Sequence, residues 1–309
     1  MNYCNPEGFR NEIKALLEKG DMDAFYHWFD GGITMEGAFE KGADVFNRVI
    51  KPYADKYLKG QRHVALDLGY GMGTKIKAAL NAFPMVYGID VHMEGEFALE
   101  NMELEEDQKV MLLMGDGETF PLEDQEVNFV YSWVTFCHLG TIDNAEKCVQ
   151  EVFRVLKPGG VAVLFFTRLI RSKSNQTWDE VEADMVKEKD HDLGYREGGP
   201  LSKVRSINLV ISMWMMEELA TLAGFKVLQK TASWDDTPTG RVFHGQYGIV
   251  LRKPISESSS TTVPSGNSTE ERSTPSINTL STPKKKKTLK KTLAQEKKAK
   301  KNPALKRSK

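Results

Sequence analysis

Within residues 63–73, read His-Val-Ala-Leu-Asp-Leu-Gly-Tyr-Gly-Met-Gly, four positions have the types and spacing to hold a ligand: Asp67, Gly69, Gly71 and Gly73. Residues without a Cβ let the backbone approach a ligand closely, and a helix start behind them presents N–H groups with no partner inside the helix. Two further acids stand in comparable settings. Asp90 closes Met-Val-Tyr-Gly-Ile-Asp, 23 residues beyond Asp67, and Asp116 lies in Gly115-Asp116-Gly117-Glu118 behind the run 109–114. A carboxylate such as Asp90 can accept from both hydroxyls of a ribose. One followed by a backbone N–H, as at Asp116 and Gly117, can receive the exocyclic amine of adenine and satisfy a ring nitrogen. The chemistry is that of holding an adenosine-bearing cofactor, and Asp90 alone would serve NAD or S-adenosylmethionine equally.

The elements that must position these residues follow from hydrophobic periodicity. Residues 1–60 read as helical, with Asn5-Pro6 as a helix start, Ile13, Leu16 and Leu17 on one face, and a second helix over 35–58. The aromatic cluster 25–29 lies between them and is expected to fill a core. From residue 63 onward strand and helix patterns alternate, which implies an α/β, Rossmann-like, doubly wound and mostly parallel sheet with a final antiparallel strand. Strands are expected to begin at residue 63 and to cover 85–90, 109–114, 127–132, 161–166, 225–230 and 246–252. Asp143, with Glu146 three positions on, is read as the cap of a helix whose stripe is Ala145, Val149, Val152 and Leu156. The segment 167–211 is a long polar insertion containing a capping box, Thr177-x-x-Glu180. Ser212 starts a later helix with Met215, Leu219 and Leu222 inward and Gly224 at its end.

Charge divides the chain. Residues 1–253 hold 28 Lys and Arg against 39 Asp and Glu, whereas residues 254–309 hold 14 against 4. In that tail, 15 of the 27 residues from 256 to 282 are Ser or Thr, and a lysine-rich run follows from Pro283 to Lys287 and beyond. Such a composition cannot bury enough surface to fold alone, so 254–309 is expected to be disordered. Its lysines suit nucleic acid or another anionic surface, through 284–309, and Pro283 to Lys287 is similar to a nuclear import signal. Cys4, Cys137 and Cys148 have no metal-binding spacing, so no metal is expected and a reduced compartment fits. The longest clean apolar run, 161–166, is far short of a membrane span of roughly 20 residues, and no signal-peptide pattern opens the chain. The expectation is a cytoplasmic protein, or a nuclear one if the cell is eukaryotic.

A dinucleotide fingerprint G-x-G-x-x-G would need its third glycine at position 74, which is Thr74. The order Asp67-x-Gly69-x-Gly71-x-Gly73, then Asp90, then Gly115-Asp116-Gly117-Glu118, then Glu151-Val-Phe-Arg-Val-Leu-Lys-Pro-Gly-Gly160, resembles the class I S-adenosylmethionine-dependent methyltransferases of the small-molecule type over about residues 60–170. The resemblance implies S-adenosyl-L-methionine as cofactor and a methyltransferase domain at 61–253 behind a helical cap at 1–60. Carried over by position, Asp67, Gly69, Gly71 and Gly73 belong to the methionine end, Asp90 to the ribose, Asp116 and Gly117 to the adenine, and Ser132 to the same cofactor set. It further implies a lid over the cofactor, for which 31–35 is the candidate link. Bulky Tyr70 and Met72 between the glycines would obstruct the methionine pocket if they pointed inward.

His138, just after the fourth strand, is the best-placed general base, and a pocket-shaping role is its alternative. Trp178, His191, Tyr195, Arg205 and His244 are candidate acceptor contacts, and Trp133 and Tyr26 candidate faces for a sulfonium. Ser132-Trp133-Val134-Thr135 is not the Asp/Asn-Pro-Pro-aromatic signature of amino-directed base methylation, and Cys137 follows Phe136, so there is no Pro-Cys nucleophile of the cytosine-C5 type. A small-molecule acceptor is therefore expected. RNA or a nucleic-acid-bound protein, reached through the tail, is the alternative, as is a protein that binds the cofactor without turnover.

Overall fold

The computed structural model describes residues 5–30, 34–93, 104–171, 176–191, 193–199, 202–204, 206–233 and 245–255. Four helices come first: α1 (Pro6–Leu17), α2 (Met22–Asp30), α3 (Met35–Val45) and α4 (Lys51–Tyr57). Asn5 caps α1 by accepting from the Gly8 N–H at 2.7 Å, with Pro6 pre-set for the first turn. The aromatic run 25–29 forms most of α2 and sends Phe25 and Tyr26 into a core as expected, and Asp21 accepts from the Ala24 N–H at 3.0 Å. The expected helix 35–58 is one path with a π-turn at Phe46–Ile50, which accommodates Pro52 and its missing N–H.

A seven-stranded sheet follows, built from β1 (Val64–Leu68), β2 (Met85–Asp90), β3 (Lys109–Met114), β4 (Val127–Ser132), β5 (Leu156–Thr167), β8 (Lys226–Ala232) and β9 (Gln246–Arg252), in the order β3-β2-β1-β4-β5-β9-β8. The pairs from β3 to β5 are parallel, and β9 runs antiparallel to both β5 and β8. A short hairpin of β6 (Tyr195–Glu197) and β7 (Leu209–Ile211) lies within the insertion. The remaining α-helices among the described residues are α5 (Ile76–Leu80), α6 (Ile142–Val155), α7 (Trp178–Lys187) and α8 (Met213–Ala223).

Period-2 alternation sends β1 to two cores. Leu66 and Leu68 face a cluster with α6, α7 and α8, while Ala65 faces one with α3, α4 and α5. A third cluster joins Ile13, Phe25, Tyr26 and Ala38 of the leading helices to Met72 of the glycine turn. The cap is thereby fixed to the turn it covers.

Three local readings are corrected. The cap of α6 is Thr141, whose extended backbone lets its hydroxyl accept from the Asn144 N–H at 3.2 Å, and Asp143 sits in the first turn. Leu156 leaves the helix in an extended conformation and begins β5, opposite Val127. Leu222 is 45% exposed, because Met216 and Ala220 take the inward face of α8 instead. The Thr177–Glu180 capping box and the Ser212 cap of α8 are present as expected. The chain divides between Ser259 and Ser260. Among the described residues no helix is long and apolar enough to cross a membrane. The tail from Ser256 onward, Cys4, Gly31 to Ile33 of the lid link, and the acceptor candidates Arg205 and His244 lie outside the described residues.

Candidate functional site

The strand ends of β1, β2, β3 and β4 open into a cavity of about 800 Å³, within the usual range of ligand sites. Of the residues singled out from the sequence, Gly69, Gly71, Asp90, Gly117, Trp133 and His138 border it. Asp67, Gly73, Asp116 and Ser132 do not, and neither do Tyr26, Trp178, His191 and Tyr195.

Backbone geometry makes the glycine turn. Gly69, Gly71 and Gly73 all have positive φ, at 76°, 57° and 73°. A Cβ on Gly69 would run into the Thr135 hydroxyl, which itself donates to the Leu68 carbonyl at 2.8 Å. A Cβ on Gly71 would lie 3.2 Å from the Phe29 ring. Tyr70 and Met72 turn away from the cavity into full burial, and the Tyr70 hydroxyl donates to the His92 carbonyl at 2.7 Å. They leave the turn open rather than obstructing it.

Asp90 is locked at the mouth of β2. One carboxylate oxygen accepts from the Gly71 N–H at 2.9 Å, the other from the Val91 N–H at 2.7 Å, and His92 Nε2 stands 3.6 Å away. Asp67 is fully buried opposite Tyr131 of β4, where burial first and the acid's negative charge second push the phenol's pKa well up. Asp116 accepts from the N–H groups of Glu118 and Thr119 at 2.8 and 2.7 Å, and these hold its carboxyl below the usual range. Its turn presents Gly117, not the carboxylate, to the cavity.

The walls come from far along the chain. Pro6 and Phe9 of α1 cover the β3 side, where Pro6 would lie 3.2 Å from a Cβ on Gly117 and Arg10 donates to the Val91 carbonyl at 3.1 Å. Trp28 and Phe29 come from α2, Lys41 from α3, and Lys75 from the start of α5. Gly42 allows α3 to lie directly on Thr74, since any Cβ there would be 2.6 Å from its backbone. At the β4 side Val134 takes a left-handed backbone, φ 67°, that is strained for a β-branched residue. The 3₁₀ turn Phe136–His138 follows it.

His138 meets Phe9 edge-on at 5.4 Å and hydrogen-bonds the Ser206 backbone. Burial is the main cause lowering its pKa to about 4, against smaller raising effects from that bond and from Asp90. The imidazole is therefore neutral at pH 7. The insertion closes this end: Glu197 accepts from the Ile142 N–H at 3.0 Å, and Asn208 donates to the Cys137 carbonyl at 2.8 Å. Sequence reasoning missed Phe9, Phe29, Lys75, His92, Thr135 and Glu197. Only His92, two places after Asp90, and Lys75, polar at a helix's buried start, carried a local signal.

S-adenosylmethionine suits this arrangement. Positive-φ glycines leave room beside a helix start, a fixed carboxylate sits at the second strand end, and aromatic walls can face a sulfonium. Residues 66–164 match the methyltransferase domain family. Phosphoethanolamine N-methyltransferase 2 of Caenorhabditis elegans is 27% identical over 153 residues, 49% of this chain and 33% of that protein. A malonyl-[acyl-carrier protein] O-methyltransferase of Methylococcus capsulatus is 27% identical over 154 residues, 47% of this chain and 55% of that one. The chain thus spans about a third and about half the length of these relatives. A solved S-adenosylmethionine-dependent methyltransferase from Methanosarcina mazei is 20% identical, covering 66% of this chain and 98% of its own, with a TM-score of 0.49. With its strand order, glycine turn and family match together, this chain carries a class I S-adenosylmethionine-dependent methyltransferase domain, and S-adenosylmethionine is its cofactor.

Proposed function

We propose that the protein transfers the methyl group of S-adenosylmethionine to a small-molecule acceptor held at the β4 end of the cavity. The observation that carries this reading is the coupling of the glycine turn to Asp90, whose carboxylate receives the Gly71 N–H at 2.9 Å while bordering the cavity. Bound S-adenosylmethionine supplies an electrophilic methyl on a positive sulfur. Gly69 and Gly71 give the backbone approach for its methionine part, Asp90 accepts from the ribose hydroxyls, and Gly117 with Asp116 addresses the adenine. Phe9, Trp28 and Phe29 exclude water, which strengthens the polar contacts inside. In-line transfer draws much of its rate from positioning and needs no covalent enzyme intermediate. His138, neutral and tied to Ser206, orients a bound group; a pKa of about 4 makes it a weak proton acceptor at neutral pH.

The two relatives, one named an N- and the other an O-methyltransferase, support modest acceptors carrying nitrogen or oxygen. One sequence observation favours a second reading. The excess of 14 basic over 4 acidic residues in 254–309 suits concentration on RNA or another polyanion.

Calorimetric titration with S-adenosylmethionine and S-adenosylhomocysteine, with NADH as control and Asp90→Ala and Asp116→Ala alongside, tests the cofactor assignment. Binding that weakens about tenfold or more in Asp90→Ala is expected. A preference for NADH, or unaltered affinity in Asp90→Ala, would refute it. A binding-only protein would take up S-adenosylmethionine yet form no S-adenosylhomocysteine with any acceptor.

A further inference from the structure

Residues 115–126 join β3 to β4 by an irregular path, and such a segment must find partners for its backbone groups outside a helix or a strand ladder. Part of the demand is met locally. Gly115 donates to the Asp90 carbonyl at 2.7 Å, and the Asp116 carboxylate takes the Glu118 and Thr119 N–H groups. Beyond Thr119 the partners come from α6. Lys147, Glu151 and Arg154 stand four and three residues apart, so they share one face of that helix. Glu151 accepts from the Phe120 N–H at 2.8 Å. The Arg154 guanidinium directs all five of its N–H bonds to this place. Two reach the Glu151 carboxylate at 2.8 Å each, and the others reach the Phe120 carbonyl at 2.9 Å, the Leu122 carbonyl at 2.8 Å and Asp124 at 2.9 Å. That fork, with the Phe120 N–H behind it, holds the Glu151 carboxyl below the usual range. Phe120 is buried in the core, while Gly117, three residues earlier, borders the cavity.

We propose that Glu151 and Arg154 are positioning residues for adenine recognition: they fix the path of 117–122 from behind and so set where the Gly117 turn meets the purine edge. This rests on the adenine placement at Asp116 and Gly117 in the proposed function. Neither residue borders the cavity, so both act through the backbone they hold. Recognition of a base edge by a turn demands its groups within about 0.5 Å of the productive position. A planar guanidinium can hold a carboxylate and two carbonyls at once, which a point charge on a flexible stem cannot.

The test is calorimetry on the full chain with S-adenosylhomocysteine and S-inosylhomocysteine, the second carrying an oxygen in place of the exocyclic amine and a proton on the neighbouring ring nitrogen. The unaltered protein should bind the adenine ligand at least about tenfold tighter. In Arg154→Met that ratio should shrink to about twofold or less, through weaker binding of the adenine ligand. Glu151→Gln keeps an oxygen for the Phe120 N–H, so it should retain part of the ratio, and it serves if Arg154→Met does not fold. Lys147→Ala removes only an exposed pair with Glu118 and should keep the ratio whole. Thermal midpoints are recorded alongside, because a merely structural role lowers the midpoint and leaves the ratio unmoved. A ratio that survives in both Arg154→Met and Glu151→Gln, or that falls equally in Lys147→Ala, would overturn the proposal. A ratio near one in the unaltered protein, or binding of neither ligand, would overturn the adenine placement beneath it, an outcome seen before any variant is made.

Discussion

The glycine-turn end and the β4 end of the cavity are built by different means. At the first, the groups that matter are backbone: three positive-φ glycines and N–H groups, one of them held by Asp90, all within 24 residues of sequence from Asp67 to Asp90. At the second they are side chains delivered from distant segments, Phe9 from α1, His138 from the turn after β4, and Glu197 from the insertion. A backbone site tolerates few residue types at a position. A side-chain site can be rebuilt by exchanging its walls while the sheet stays fixed. On the proposed reading the glycine-turn end is thus the rigidly specified cofactor end, and the β4 end is the acceptor end, where specificity is set.

The hardest break of that contrast is Gly69→Ala. The new Cβ meets the Thr135 hydroxyl, and the left-handed backbone costs about 1–2 kcal/mol besides. S-adenosylhomocysteine affinity should fall at least about 100-fold, near 3 kcal/mol, by calorimetry. Adding Thr135→Ala should recover part of this, because it removes the collision and leaves the backbone strain. Full recovery would show that the conformation of the turn is unimportant.

The acceptor end should answer to pH instead. Burial lowers the folded pKa of His138 to about 4, below the ordinary value of 6.5, so the unfolded chain binds the proton first on acidification. Stability is then intact above about pH 6.5 and lost as pH falls toward 4, by about 3 kcal/mol in all. Urea unfolding at pH 7 and pH 4.5 should show this loss reduced in His138→Gln, which keeps a donor for Ser206. Equal acid sensitivity in both proteins would place the proton uptake elsewhere.

The same contrast explains what the sequence reveals. Strands of this sheet read as short apolar runs whether they are central and parallel like β2 and β4, at the edge like β3, or antiparallel like β9, so all four are legible to the residue, and the acids Asp90 and Asp116 come with β2 and β3. Local chemistry likewise discloses the caps at Asn5, Thr177 and Ser212. The cap of α6 is ambiguous because Thr141 and Asp143 are both good cap residues, and only the backbone at 141 decides. The aromatic α2 hides its period under five consecutive large side chains, of which Phe25 and Tyr26 are fully buried. Glu197 lies 55 residues from the Ile142 N–H that it caps, and no local pattern joins them.

A milder probe of the cofactor end is Asp90→Asn. Asparagine keeps an oxygen for the Gly71 N–H but loses the acceptor for the Val91 N–H and the charge that strengthens bonds from ribose hydroxyls. Affinity for S-adenosylhomocysteine should drop by about 2 kcal/mol, with the thermal midpoint lowered by only a few degrees for the lost Val91 bond. A large fall in midpoint would mean that Asp90 serves the turn more than the ligand.

The smallest effect belongs to Thr141→Ala at the other end. The hydroxyl satisfies the Asn144 N–H, while Glu197 satisfies the neighbouring Ile142 N–H, so the start of α6 is capped from two segments at once. Losing one cap should cost about 1 kcal/mol of stability in urea unfolding. S-adenosylhomocysteine affinity should stay as it was, because the glycine turn and Asp90 share no hydrogen bond with Thr141. If the affinity falls in step with the stability, the two ends are one cooperative structure, and the division between a fixed cofactor end and an exchangeable acceptor end fails.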